Sequence, residues 1–151
     1  MAFSPDDIST ITKILQQLEL FKNLNEQDHA EIIKHITLEY FPKDHVVFHE
    51  GDAGDCFYII KHGMARVFHE APNQVEEKEV AMFGDGDFFG EMALISDKPR
   101  NATVKTVEES EIFKLKKDDF IQLVSSDPNM ASRISTEFLN RLKTNMREEQ
   151  N

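Results

Sequence analysis

The spacing of apolar residues changes twice along this chain. Ile8, Ile11, Ile14, Leu15 and Leu18 repeat at helical steps behind Ser4, Pro5, Asp6 and Asp7. A capping hydroxyl, a proline at the first helical position and acids at the positive end of the dipole predict a helix start there. A second start falls at Asn25, with Glu26 and Asp28 behind it and Ile32, Ile33 and Ile36 as its apolar face. From Thr37 to Lys116 the pattern becomes short β-prone runs: Leu38 to Phe41, His45 to His49, Cys56 to Lys61, Met64 to His69, Lys78 to Phe83, Ala102 to Val107 and Ser110 to Leu115. Turn chemistry separates them, at Pro42-Lys43-Asp44, Gly51 to Asp55, His62-Gly63 and Gly84 to Asp87, while Ala71 to Glu77 reads as a polar, mobile hairpin tip. Helical spacing then returns. Lys116 to Asp119 open a short helix carrying Phe120, Leu123 and Val124, and Asp127-Pro128 open a longer one through Ile134, Phe138, Leu139 and Leu142. Many short strands between helical ends predict a mixed α+β protein built on a sandwich or barrel.

Length and charge narrow the function. At 151 residues the chain fits one domain, which can bury about 68–70% of the surface its unfolded form exposes, so it needs no disulfide or metal to fold. The single cysteine, Cys56, lacks an internal partner and reads as an inert core residue, which points to a cytoplasmic protein. No basic-then-apolar leader opens the chain and no run of 18 apolar residues occurs, so neither secretion nor a membrane span is expected. A net charge of −11 argues against nucleic acid as a partner, because such binding rests on clustered Lys and Arg. It opposes an anionic small ligand only weakly, since charges beyond about 8 Å are screened at physiological salt. A site for such a ligand must be built locally.

One stretch has the parts for it. Gly84 to Val104 reads GDGDFFGEMALISDKPRNATV: a glycine turn, an aromatic pair, Gly90, the carboxylate of Glu91, a short apolar helical run to Ile95, then Arg100 ahead of Ala102. Gly90 permits a positive φ or a close approach, and the amides near Met92 and Ala93, at a helix start, are expected to lack intrahelical partners and so to attract an anion. Pro99 is expected to stop the helix, and the chain then brings the Arg100 guanidinium back toward the helix start.

FGEMAL followed by PRNATV resembles the phosphate-binding cassette of the cyclic nucleotide-binding domain family, here in a stand-alone, bacterial-type form. The matching positions are Gly90, Glu91, Ala93, Arg100 and Ala102. The resemblance implies that Glu91 accepts a hydrogen bond from the ribose 2′-hydroxyl, that Arg100 pairs with the cyclic phosphate, and that the backbone around Ala93 and Ala102 completes the cradle. Phe89, Met92 and Asn101 join them as ligand-binding candidates. The ligand is cAMP or cGMP, with cAMP favoured, and no further cofactor is expected. The implied fold is an antiparallel β-roll of jelly-roll type, a cupin-like double-stranded β-helix, flanked by N-terminal and C-terminal helices. One domain, 1–151, then divides into N-terminal helices (1–36), the β-roll (37–116) with its cassette (88–104), and hinge and lid helices (117–147). Leu94 against Phe120 is the expected hinge contact. Phe138, Leu139 and Leu142 are lid candidates, and Arg141 is placed to stack on the base.

The resemblance also implies that the N-terminal helices move with the C-terminal ones. No effector segment is apparent, so the signal is expected to pass to an effector protein in trans or to a homodimer partner through the C-terminal helix. A β-roll that binds no nucleotide and serves as an interaction or dimerisation module is the alternative. A cupin-like metalloenzyme is the third reading. No H-x-H pair followed by an acid occurs, and His45, His49, His62 and His69 fall on separate runs or turns, so no metal site is expected. Ser96, Asp97 and the histidines form no nucleophile–base order, so no catalytic residues are expected either.

Overall fold

In the computed structural model of the protein, which describes residues 3–70 and 78–134, both N-terminal helices start in reciprocal caps. Ser4 accepts from the Asp7 amide at 3.1 Å while Asp7 accepts from the Ser4 amide, which opens helix α1 (Pro5–Gln17). Asn25 and Asp28 do the same for α2 (Glu26–Ile33). Between them lies a 3₁₀ turn, Glu19–Phe21, which apolar spacing did not reveal. Ile8 departs from expectation: it is 42% exposed, on the outer side of the helix whose Ile11, Ile14 and Leu15 are buried.

Among the described residues eight strands follow: β1 (Thr37–Phe41), β2 (Val46–Phe48), β3 (Cys56–His62), β4 (Ala65–His69), β5 (Lys78–Phe83), β6 (Phe88–Phe89), β7 (Thr103–Thr106) and β8 (Ser110–Lys116). They form two antiparallel four-stranded sheets, ordered β1-β8-β3-β6 and β2-β7-β4-β5. Only β4 and β5 are successive strands in one sheet; every other connection crosses between sheets. Strand β6 was not predicted. Two residues carry no alternation, and Phe88–Phe89 becomes a strand only by pairing with Ile59 and Tyr58.

The alternation along β3 separates two cores. Cys56, Tyr58 and Ile60 face a cluster shared with Val67, Phe89 and Val104, so the sheets pack on each other there. Phe57 and Ile59 face the other way, into a cluster with Ile11, Leu15, Phe21, Ile32, Leu94 and Phe120, so the helices cover the outer face of the first sheet. A continuous apolar run in a strand is the mark of burial on both faces.

Helix α3 (Lys117–Ser126) leaves β8 directly, and α4 (Pro128–Arg133) is capped by Asp127, which accepts from the Met130 amide at 3.0 Å. The helix predicted to run from Asp127 through Ile134 stops one residue short of it. α4 ends at Arg133, where Ile134 takes an extended conformation, φ −68° and ψ 140°. Arg133 instead forks onto Asp28, with Nε donating at 2.6 Å and Nη2 at 2.7 Å, and so ties α4 to α2. That pairing holds the Asp28 carboxyl below its usual range. Phe138, Leu139, Arg141 and Leu142, and the tip at 71–77, lie outside the described residues.

Candidate functional site

Strand β6 delivers the chain to Gly90, whose φ of +79° lies in the left-handed region. A Cβ there would stand 2.7 Å from Arg100 Nη1 and 3.1 Å from the Cys56 carbonyl oxygen, so glycine is required by conformation and by space. The next residues form a 3₁₀ turn, Glu91–Leu94, rather than an α-helix. The Ala93 amide is therefore not free, as the sequence suggested: it donates to the Gly90 carbonyl at 3.1 Å. In i→i−3 bonding the amides left outside the pattern are the two at the start, Glu91 and Met92. Pro99 also has a different part. The turn ends at Leu94, and Pro99 forms an isolated bridge with Ala53.

That bridge fixes Arg100. Its amide donates to the Asp52 carbonyl and its carbonyl accepts from the Gly51 amide, both at 2.8 Å. The side chain points inward and is 9% exposed. Nη2 donates to the Cys56 carbonyl at 2.7 Å, and the guanidinium lies 4.1 Å from the Phe48 ring centroid and 5.9 Å from that of Tyr58. Nε is buried without a hydrogen-bond partner, and no ion pair reaches Arg100 among the described residues. Burial pushes its pKa down, against the pull of Tyr58, Asp55, Cys56 and Asp52. The group remains a cation at any physiological pH.

The predicted residues differ in exposure. Glu91 is half-buried, Met92 is 43% exposed, Asn101 is exposed, and Ala93 and Ala102 are buried. The Phe89 ring stacks on Tyr58 at 5.1 Å and on Phe83 at 5.8 Å. Leu94 and Phe120 are both buried in the helix-side core, where Phe120 also meets the Phe21 ring edge-on at 5.5 Å. Three further participants went unrecognised in the sequence. Phe48 packs on Arg100, the Cys56 carbonyl accepts from it, and at Gly54 a Cβ would stand 3.3 Å from the Ala93 Cβ and 3.6 Å from Arg100 Nε. The second glycine of Gly51-Asp52-Ala53-Gly54-Asp55 was the available signal.

Burial pushes the Cys56 thiol up to about 11, as a core thiol should behave. The histidines are less scattered than their spacing implied. His49 faces Glu70 and His69 faces Glu50, each at 2.7 Å. Among the described residues no group of three or more metal-ligating side chains converges, and no helix is long and apolar enough to cross a membrane.

Comparison with known proteins bears on this geometry. The family model described as "Cyclic nucleotide-binding domain" matches residues 38–127, more than half of the chain. The cAMP-dependent protein kinase regulatory subunit of Emericella nidulans is 35% identical over 130 residues, covering 86% of this chain and 30% of that one. The cGMP-dependent protein kinase egl-4 of Caenorhabditis briggsae is 29% identical over 117 residues, covering 77% of this chain and 16% of that one. The chain thus spans under a third of the length of these curated relatives. Among solved structures, the regulatory domain of Toxoplasma gondii PKA co-crystallised with cAMP superimposes with a TM-score of 0.69 at 30% identity, covering 80% of this chain and 46% of that one.

Proposed function

The chain belongs to the cyclic nucleotide-binding domain family, and from that premise we propose that it is a sensor that binds cAMP in preference to cGMP. The Arg100 guanidinium carries the reading. It is buried, holds one carbonyl, has an unpartnered Nε, and meets no carboxylate in ion-pair range among the described residues. A buried cation in that condition is costly until a counter-charge completes it, and the exocyclic oxygens of a cyclic phosphate match its paired donors.

In this reading Arg100 pairs with the phosphate, and the amides at the start of the Glu91–Leu94 turn, with the backbone around Ala93 and Ala102, complete the cradle. Glu91 accepts from the ribose 2′-hydroxyl. Phe89 supports the pocket from below, and Asn101, at its exposed edge, meets the base through an amide able to donate or accept. The preference for cAMP is supported by the relatives whose names carry it, while the match to a cGMP-dependent kinase keeps the second nucleotide in the test. The fold we assign is a jelly-roll β-roll within one unit, 1–151, an assignment supported by the two strand orders.

Binding draws Leu94 inward against Phe120, and the helices after β8 follow. Phe138, Leu139 and Leu142 then cover the base while Arg141 stacks on it. The ligand moves this equilibrium only by binding the closed state more tightly than the open one. The moving helices report to a separate effector protein or to a second copy of the chain. Calorimetric titration with cAMP and cGMP is the test. Saturable heat with both, tighter for cAMP, is expected; no heat with either at millimolar ligand would leave a β-roll interaction module in its place.

A further inference from the structure

Lys117, the first residue of α3, is a charged side chain that the site described above does not use, yet it is buried at 9% exposure. Its ammonium donates to the Ser96 carbonyl at 3.0 Å and pairs with the Asp97 carboxylate. Its backbone amide donates to the Asp55 carbonyl at 2.8 Å. Both attachments lie in segments that run to the contacts of Arg100. Ser96 and Asp97 belong to the segment that leads from the Glu91–Leu94 turn to Pro99 and Arg100. Asp55 stands between Gly54, which packs against Ala93 and Arg100, and Cys56, whose carbonyl holds the guanidinium. One residue therefore joins the loop before β3 to the loop before Arg100, and joins both to the start of α3.

We propose that Lys117 is a positioning residue for the anion site, locking these two segments together and coupling them to α3 by a polar route beside the apolar Leu94–Phe120 contact. The proposal rests on reading Arg100 as the anion-binding group. A short loop clamped at both ends, by Lys117 at Ser96–Asp97 and by the Gly51–Asp52 backbone at Arg100, keeps the guanidinium beside Gly90 and on the Cys56 carbonyl. Movement of α3 acts through the same lysine on both segments at once. Little solvent screens the pair, since the lysine side chain is 11% exposed and the aspartate 30%. Loss of the ammonium removes two charge-assisted hydrogen bonds and leaves Asp97 without this partner.

The test uses the full chain with Lys117→Met, which keeps the apolar stem and removes the charge. Before any ligand is added, hydrogen exchange in residues 93–101 is expected to quicken by about tenfold or more while β3 and β8 stay protected. The Arg100 Nε–H resonance, assigned by its loss in Arg100→Met, is expected to shift and to exchange faster with water. A lysine serving only the fold would not move that signal while leaving the sheets protected. Affinity for cAMP is expected to fall by about tenfold. Asp97→Asn, which keeps the lysine, is expected to reproduce the exchange pattern in weaker form and carries the same test if Lys117→Met does not fold. Unchanged exchange in 93–101 and an unmoved Arg100 signal in the folded variant would overturn the proposal. Absence of cAMP binding in the unmodified protein would count against the nucleotide reading, and the ligand-free exchange would still decide the role of Lys117.

Discussion

Replacing Arg100 with methionine removes the guanidinium and keeps much of its stem, so it separates what the charge does for folding from what it does for binding. In the folded protein that cation has left water, at an effective cost of several kcal/mol. Its bond to the Cys56 carbonyl offsets about 1.5–3 kcal/mol, and the face of Phe48, 4.1 Å away, about 2 kcal/mol more. The balance sits near zero or on the unfavourable side, and the downward push on its pKa by burial points the same way. Arg100→Met is therefore expected to leave the ligand-free protein as stable as before, or to raise its melting temperature by about 2–4 °C, roughly 1 kcal/mol at this chain length. Binding of cAMP is expected to weaken by about 3–5 kcal/mol, or two to nearly four orders of magnitude, because the phosphate loses its buried partner. Scanning calorimetry without ligand and titration calorimetry with it, on the same preparation, read both effects. A melting temperature lowered by several times the expected rise would refute the claim that the charge is under-compensated, and an unaltered affinity would remove Arg100 from the site.

Glu91→Ala is expected to weaken cAMP binding by about 1.5–3 kcal/mol, roughly ten- to a hundredfold, as the loss of one hydrogen bond to a charged acceptor; titration calorimetry reads it. Addition of cAMP is expected to slow hydrogen exchange across residues 89–104 and to change it across 120–146, and protection confined to the first range would reject the lid while leaving the binding site standing. His29, 5% exposed with neither ring nitrogen bonded, has its pKa pushed below 6.5 by burial, more than Asp28 and Glu26 pull it up. Its contribution to stability is thus complete above that unfolded value and is lost as pH falls below it, so His29→Leu is expected to flatten the acid side of a melting-temperature profile.

The parts of the molecule legible in the sequence are those whose causes are local. Ser4 with Pro5 and its acids, and Asn25 with Glu26 and Asp28, are each confined to a few residues, and both helices start where those residues placed them. Arg100 does return to the Gly90 turn, although what fixes it there is the bridge of Pro99 to Ala53 and the backbone bonds to Gly51 and Asp52, which are not local. What stayed hidden is set by pairing between distant segments. Phe88–Phe89 is a strand only because β3 lies beside it, and the Cys56 carbonyl meets Arg100 across 44 positions. The Arg133–Asp28 fork spans 105 positions, and nothing in either neighbourhood marks its partner. The Glu91–Leu94 turn was expected only to be helical, because composition does not separate a single 3₁₀ turn from the start of a longer helix. Ile8 shows the converse error: apolar spacing assigned it to the inner face, but at about 100° per residue it falls at the edge of the arc that Ile11, Ile14, Leu15 and Leu18 define, and it is exposed.

A net charge of −11 and an anionic ligand make an unfavourable pair at long range, and that conflict yields a test of where the affinity comes from. Repulsion between the whole molecule and an approaching cyclic nucleotide acts over a Debye length, about 30 Å in 0.01 M salt and about 10 Å in 0.1 M. The attraction assigned to Arg100 acts at contact, at a residue that is 9% exposed, where mobile ions screen poorly. Added salt should therefore weaken the repulsion far more than the attraction. The expected result, by stopped flow with a fluorescent cAMP analogue, is an association rate that rises between 0.01 and 0.1 M salt while the dissociation rate stays nearly constant, so that binding tightens. A steep loss of affinity over the same range would mean that solvent-exposed lysines or arginines hold the ligand, and would move the phosphate out of the buried pocket.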